Sequence, residues 1–144
     1  MINDNVMGGN SIASYSRNIW SGYLNPVDNY NLGFVSLNKP IRIENKTKEI
    51  QLYIHALTNE PRTLILQLNT EQYGYYKPSI EFTIYPNKTI YTLPLNRFKL
   101  FFRGNWRNHN LEYINKNQIN SVSLILADNN PNYFEFSIRK IEQK

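Results

Sequence analysis

With 144 residues and a formal net charge of +5 from 16 basic and 11 acidic side chains, the chain has the material for one domain with one hydrophobic core, residues 1–144. It has no cysteine, which excludes disulfides, thiolate nucleophiles and thiolate-held metals, and neither an apolar run near the roughly 18 residues a bilayer span needs nor a leader pattern, which is expected of a soluble, cytoplasmic protein. The basic residues are scattered, with local groups at Lys46/Lys48, Arg97/Lys99/Arg103/Arg107 and Arg139/Lys140/Lys144; none is a dense basic block, so nucleic acid is disfavoured as a partner.

The chain opens on Asn3-Asp4-Asn5-Val6-Met7-Gly8-Gly9-Asn10-Ser11. Adjacent glycines permit positive φ or close approach, and Asp4 and Asn5 have short side chains that hydrogen-bond nearby backbone. The run is either a structural turn or a binding loop. Ser11 to Ile19, which contains Arg17, has strand-forming composition without helical spacing, and Trp20 to Leu24 and Gly33 to Leu37 read as two further short strands. Asn25 to Asn31 has the chemistry of a loop.

From Glu49 to Leu57 the apolar residues Ile50, Leu52, Ile54 and Ala56 alternate with Gln51, Tyr53 and His55, the period of a half-buried strand. Arg62 to Thr70 repeats the pattern with Leu64, Leu66 and Leu68, and the turn Thr58–Pro61 predicts a hairpin between the two. Pro78 to Pro86 and Thr89 to Leu95 predict a second hairpin across Asn87-Lys88. Ser121 to Ala127 and Tyr133 to Ile141 are the last strands, and short helical pieces fit only around Asn96–Lys99 and Tyr113–Gln118. Some nine strands at intervals of about 8 to 12 residues predict an all-β chain folded as a jelly-roll β-sandwich.

Chemistry is thin. The two histidines, His55 on a strand and His109 in a loop, have no neighbour at triad or metal-ligand spacing, and no phosphate loop or hydrolase motif is present. Catalysis is therefore not expected, and no cofactor is implied. The oxygen-rich runs Asn3–Asn5 and Asp128–Asn130 each hold a single acid, so a structural cation stands beside ordinary Asx turns as the alternative. Tyrosines are more suggestive. Tyr53, Tyr73, Tyr75, Tyr76, Tyr85 and Tyr91 fall on the polar faces of strands or in their connections, where flat rings with hydrogen-bonding tips either stack on sugars, bases or a protein partner or simply cover a sheet face.

The ordered residues also resemble a family. Asn3 to Ser11 is similar to the Asn-Asp-x-Val-Met-Gly-Gly-x-Ser signature of the complex I intermediate-associated protein family; Gly33–Leu37, Leu95–Phe98 with Phe102-Arg103-Gly104, and the stretches Ile119–Asp128 and Phe134–Ile141 resemble its later segments in order. The resemblance implies a galactose-binding-like fold and a non-catalytic role in assembling a larger complex. Two contact regions follow as expectations. A protein partner would meet the opening loop (Asp4, Asn5, Gly8, Gly9), Arg17, Arg103 and the surface around Trp106. Alternatively, a glycan would stack on Tyr53, Tyr75, Tyr76 and Tyr85, with Gln51, Gln67 and His55 supplying hydrogen bonds.

Overall fold

The computed structural model describes residues 12–24, 33–108, 111 and 114–144, the side chain of Ile12 excepted. The opening run with Asp4, Asn5, Gly8 and Gly9 lies outside them, as does His109. Eleven strands are formed among the described residues: β1 (Ile12–Ser16), β2 (Ile19–Tyr23), β3 (Val35–Pro40), β4 (Glu49–Ala56), β5 (Arg62–Asn69), β6 (Lys77–Ile84), β7 (Ile90–Pro94), β8 (Lys99–Phe102), β9 (Asn105–Arg107), β10 (Ser121–Leu126) and β11 (Phe134–Gln143). They divide into a smaller sheet of order β1-β2-β11-β4-β7 and a larger one of order β3-β10-β5-β6-β8-β9. Every pairing is antiparallel.

The alternation read from the sequence decides which side of each strand is buried. Ile50, Leu52, Ile54 and Ala56 of β4 and Leu64, Leu66 and Leu68 of β5 are all at most 4% exposed. Val122, Leu124 and Leu126 of β10 and Phe134, Phe136 and Ile138 of β11 join the same core, each side chain of this size contributing about 1.5–3 kcal/mol by leaving water. On β11 the apolar spacing runs Phe134, Phe136, Ile138 and then Ile141, one residue too long for strict alternation. The ladder to β4 shifts register between Ile138 and Lys140, so a bulge at Arg139 absorbs the extra residue, keeping Ile141 on the core side and Lys140 in solvent.

Both expected hairpins are corrected. β4 pairs with β11 and β7, whereas β5 pairs with β10 and β6. The turns Thr58–Pro61 and Tyr85–Lys88 are therefore corners that carry the chain from one sheet to the other, and the hairpin lies between β5 and β6. Alternation cannot distinguish these cases, because a hairpin and a corner both bury one face of each strand. At the second corner the reason is local. Tyr91 points inward, accepts a hydrogen bond from the Tyr85 N–H (2.8 Å) and donates to the Lys88 carbonyl (2.9 Å), which folds the turn over the sheet edge.

Two further hairpins are present, one inside a stretch read as a single strand and one where no strand was expected. Ser11 to Ile19 is broken by a turn at Arg17 and Asn18, both at positive φ (53° and 67°), the backbone of the two-residue turns that match strand twist. The second links β8 to β9 through Arg103 and Gly104 (φ 46° and 80°). The expected helical pieces are single 3₁₀ turns at Leu95–Arg97 and Lys116–Gln118.

One buried ion pair latches the first corner. Arg62, 1% exposed, donates from Nε and Nη2 to the two carboxylate oxygens of Asp128 at 2.7 and 2.9 Å and to the carbonyls of Asn130 and Asn132. Its guanidinium carbon lies 5.8 Å from the centre of the Phe134 ring. Asp128, which the sequence offered as one acid of an oxygen-rich loop, is thus occupied by an internal cation. Beside it Glu60 accepts from the Asn130 and Asn132 amides, and these hydrogen bonds, the Asn132 one foremost, hold its carboxyl below the usual range.

Asp128→Ala leaves a buried guanidinium without its counter-ion and is expected to lower the unfolding free energy by about 3–5 kcal/mol, read from urea denaturation.

Candidate functional site

The outward faces of the two sheets differ in how their polar groups are used. On the smaller sheet, Tyr53 of β4 hydrogen-bonds Gln51 and Glu142 and carries the Lys140 ammonium 4.5 Å from its ring centre. Lys140 and Lys144 are both paired with Glu142, at 2.6 and 3.4 Å. Glu142 is held below the usual carboxylate range by Lys140 first, and Lys140 above the usual lysine range by Glu142. His55 stands on this face opposite Ser137. Glu142 thus collects both lysines and Tyr53 on this face, while His55 Nδ1 is buried without a hydrogen-bond partner among the described residues.

On the larger sheet the outward row of β3, β10 and β5 is a connected set of amides and hydroxyls. Asn69 donates to Ser121 and Ser123 at 2.8 and 3.0 Å, Gln67 donates to Asn69, and Ser123 donates to Asn38. Although they point away from the core, Ser123 and Ser79 are only 4% and 0% exposed; the face is recessed. Two hollows open on it and share Glu81: a groove of about 840 Å³ lined by Ser79, Ile80, Glu81, Asn96, Arg97, Phe98, Lys99, Trp106 and Asn108, and a smaller one of about 270 Å³ lined by Thr63, Ile65, Glu81, Ala127 and Asp128.

The groove is built by the β8–β9 hairpin standing beside β6. The ladder puts Lys99 opposite Ser79, and Trp106 opposite Phe101, so on the outward side Trp106 stacks on Phe101 at 4.5 Å. On the other side Arg107 lies 4.2 Å over Tyr76, while Phe102 meets both Tyr75 and Tyr76 at 5.6 and 5.7 Å. Opposite charges, amides and one indole line an open trough, an arrangement suited to holding an extended polar ligand. Among the described residues it is lined by no histidine. Among the described residues no three His, Cys, Asp or Glu side chains come together to hold a metal ion.

The residues singled out in the sequence separate into groups. Arg103, Trp106, Tyr75 and Tyr76 come together at the β8–β9 hairpin. Tyr53 and His55 sit on the other sheet. Tyr85 lies past the far end of β6, whose eight residues span roughly 25 Å at 3.3 Å each. Arg17 belongs to the β1–β2 turn, at the edge of the smaller sheet near β3, away from the β9 edge that carries Arg103. Gln67 lies on the recessed row with Gln51 on the opposite sheet. Tyr91 belongs to the core and its corner, and burial pushes its hydroxyl above the usual tyrosine range. Sequence reasoning missed Ser79, Glu81, Asn96 and Lys99 as groove residues. The only signal for them was the local basic group from Arg97 to Arg107.

Comparison with known proteins agrees with this architecture. A family model described as "Complex I intermediate-associated protein 30 (CIA30)" matches residues 1–138. Among solved structures, the chain is similar to the family 11 carbohydrate-binding module from Clostridium thermocellum in complex with a β-1,3-1,4-mixed-linked tetrasaccharide (10% identity, 99% of this chain and 93% of that one, TM-score 0.56). It is also similar to the family 11 module of the C. thermocellum cellulosomal cellulase Lic26A-Cel5E (11% identity, 96% and 91%, TM-score 0.54), and to an agarase, AgWH50C (10% identity, 100% of this chain but 23% of that one, TM-score 0.61). The fold is thus the galactose-binding-like jelly-roll sandwich. No curated protein sequence gives a significant match.

The division of the tyrosines has a measurable consequence. Tyr91→Phe leaves the Tyr85 N–H and the Lys88 carbonyl without their partner and is expected to cost about 1–3 kcal/mol, whereas Tyr75→Ala, at 81% exposure, should stay within about 0.5 kcal/mol of the parent in thermal unfolding.

Proposed function

We propose that this chain, which belongs to the complex I intermediate-associated protein 30 family, is a non-catalytic binding module that takes part in assembling a larger complex of the respiratory complex I kind. The observation that carries this reading is the groove beside β8 and β9. It is open, presents Glu81 beside Arg97 and Lys99 with the Trp106 ring, and among the described residues its lining offers no histidine beside its one acid for proton transfer. An extended segment of a partner protein suits such a trough, with its charged side chains opposed to Glu81, Arg97 and Lys99 and an apolar side chain against the half-exposed indole. The opening loop with Asp4, Asn5, Gly8 and Gly9, and Arg17 on the opposite edge, remain part of the proposed contact region.

A second reading has its own observation. The recessed row of Asn38, Ser123, Asn69 and Gln67 leads toward Trp106, and alternating amides and hydroxyls ending on a flat ring are the chemistry that holds a sugar chain. Similarity to modules that bind a mixed-linked glucan supports the fold of this alternative. The tyrosines expected to stack on sugars are divided between the two sheets, so a glycan would depend on Trp106 more than on Tyr53 or Tyr85.

Affinity capture with the native chain from its own host is expected to recover respiratory-complex subunits, and capture with Lys99→Glu combined with Trp106→Ala to lose them at an unchanged melting temperature. Recovery of no subunit, or equal recovery by both chains, would sink the assembly reading. Retardation in gels containing mixed-linked β-glucan that disappears with Gln67→Ala and Trp106→Ala would instead establish the sugar-binding one.

A further inference from the structure

The excess positive charge of the chain is unevenly used. On the smaller sheet Lys140 and Lys144 share the Glu142 carboxylate, and Arg62 is neutralised by Asp128. Arg97, Lys99, Arg103 and Arg107 are all exposed, and none of them makes an ion pair among the described residues. They are the four cations of the β8–β9 hairpin and the turn leading into it, and among the described residues the carboxylates on nearby elements are Glu81 on β6 and Glu71 in the β5–β6 loop. The hairpin carries aromatic rings on both of its sides: Phe101 with Trp106 on one, Phe102 with Tyr75 and Tyr76 on the other. Tyr75 is 81% exposed, and Arg103 with Gly104 forms the tip.

We propose that the tip of the β8–β9 hairpin, with Tyr75 beside it, is a docking surface for an anionic lipid bilayer. Amphipathic rings settle at the level of lipid headgroups, apolar body inward and polar tip in water, and arginines on the same projection pair with headgroup phosphates while their stems lie along the rings. Both halves of that requirement meet here. A nucleic acid is the other anionic partner the charge would attract, but the rings already pack on one another, Arg107 covers Tyr76 at 4.2 Å, and Arg103 sits over Phe102 at 5.2 Å. No row of free ring faces is left for successive bases to stack on. The tip itself, Arg103 and Gly104 with Tyr75, is not part of the groove lining, although Arg97, Lys99 and Trp106 border both, so the proposal stands whether the groove holds a protein segment or a glycan. A hairpin seated on lipid would hold the groove close to a membrane-embedded assembly.

The chain reports on this surface by itself. Of its two tryptophans, Trp20 is fully buried and Trp106 is 37% exposed, so a change in emission on binding belongs to Trp106. Mixed with vesicles of phosphatidylcholine containing phosphatidylglycerol, the full chain is expected to sediment with the lipid, shift its emission to the blue and be quenched by brominated acyl chains, and to be released by high salt. Vesicles of phosphatidylcholine alone should leave it in solution. Arg103→Asn combined with Arg107→Gln keeps the turn, since asparagine tolerates positive φ. This variant should bind about thirty-fold more weakly, the factor that two basic side chains contribute beside an anionic surface. The proposal is overturned if the anionic vesicles leave the chain unbound, if they bind it with no change at Trp106, which is adsorption by net charge alone, or if the double variant binds like the parent. It is equally overturned if a single-stranded oligonucleotide displaces the chain from the vesicles and is itself held through the same arginines.

Discussion

A fully buried guanidinium is among the most expensive groups to place in a protein interior, and the arrangement around Arg62 shows what makes it tolerable. Four of its hydrogen bonds are made inside the fold, two of them to Asp128 and two to backbone carbonyls of the 127–133 connection. The cost of removing both charges from water is offset because the pair is bidentate and two of the three remaining N–H donors also find acceptors. Arg62 begins β5 and Asp128 follows β10, neighbouring strands of the larger sheet, while Asn130 and Asn132 lie on the way to β11 of the smaller one. The cluster therefore helps fix how the sheets close at this end, with the Trp20, Phe134 and Phe136 rings packed beneath it.

Similar local devices govern the rest of the frame. At the same end Tyr91 closes the second corner with its hydroxyl, next to the paired Arg62 and Ile84; at the opposite end Lys116 donates to the carbonyls of Asn45 and Thr47 at 2.7 and 2.8 Å, tying the segment before β10 to the one before β4. Gln143 accepts from the Glu44 N–H and the Thr47 hydroxyl and donates to the Arg42 carbonyl. With these connections held, the larger sheet turns a recessed polar face outward and extends past β6 by only the short β8–β9 hairpin. A three-residue edge strand presents little ladder to pair with another chain, so recognition at this edge falls to side chains: the indole of Trp106, the rings beneath it and four unpaired cations. On the smaller sheet, by contrast, Lys140 and Lys144 share the Glu142 carboxylate, so the hairpin is where unpaired cations and aromatic rings stand together.

Much of the site was visible in the sequence as ingredients and little as an arrangement. The basic group Arg97 to Arg107 and Trp106 could be picked out, because charge and ring are properties of the residues themselves. Ser79 and Glu81 could not, because they looked like ordinary polar positions of a half-buried strand and acquire meaning only once β8 stands beside β6. Tyr53 and Tyr75 looked alike and lie on different sheets. Tyr91 looked like a surface ring and is a corner lock, since the Ile90-Tyr91-Thr92-Leu93 stretch buries its tyrosine and exposes its isoleucine, 4% against 45%, the reverse of what polarity alone suggests.

By itself the sequence determined the all-β class, the positions of nearly all the strands, their buried faces and, through the order of its motifs, the family. These follow from alternation, turn chemistry and local residue order, which act over a few residues. Tertiary structure alone decided which strands share a sheet, that two apparent hairpins are corners, where the extra residue of β11 is absorbed, and which tyrosines and cations stand together. The physical reason is the same in each case. A period of two specifies a buried side but not the partner across the core, and partner choice rests on contacts between residues far apart in the chain, such as Arg62 with Asp128 and Phe102 with Tyr75.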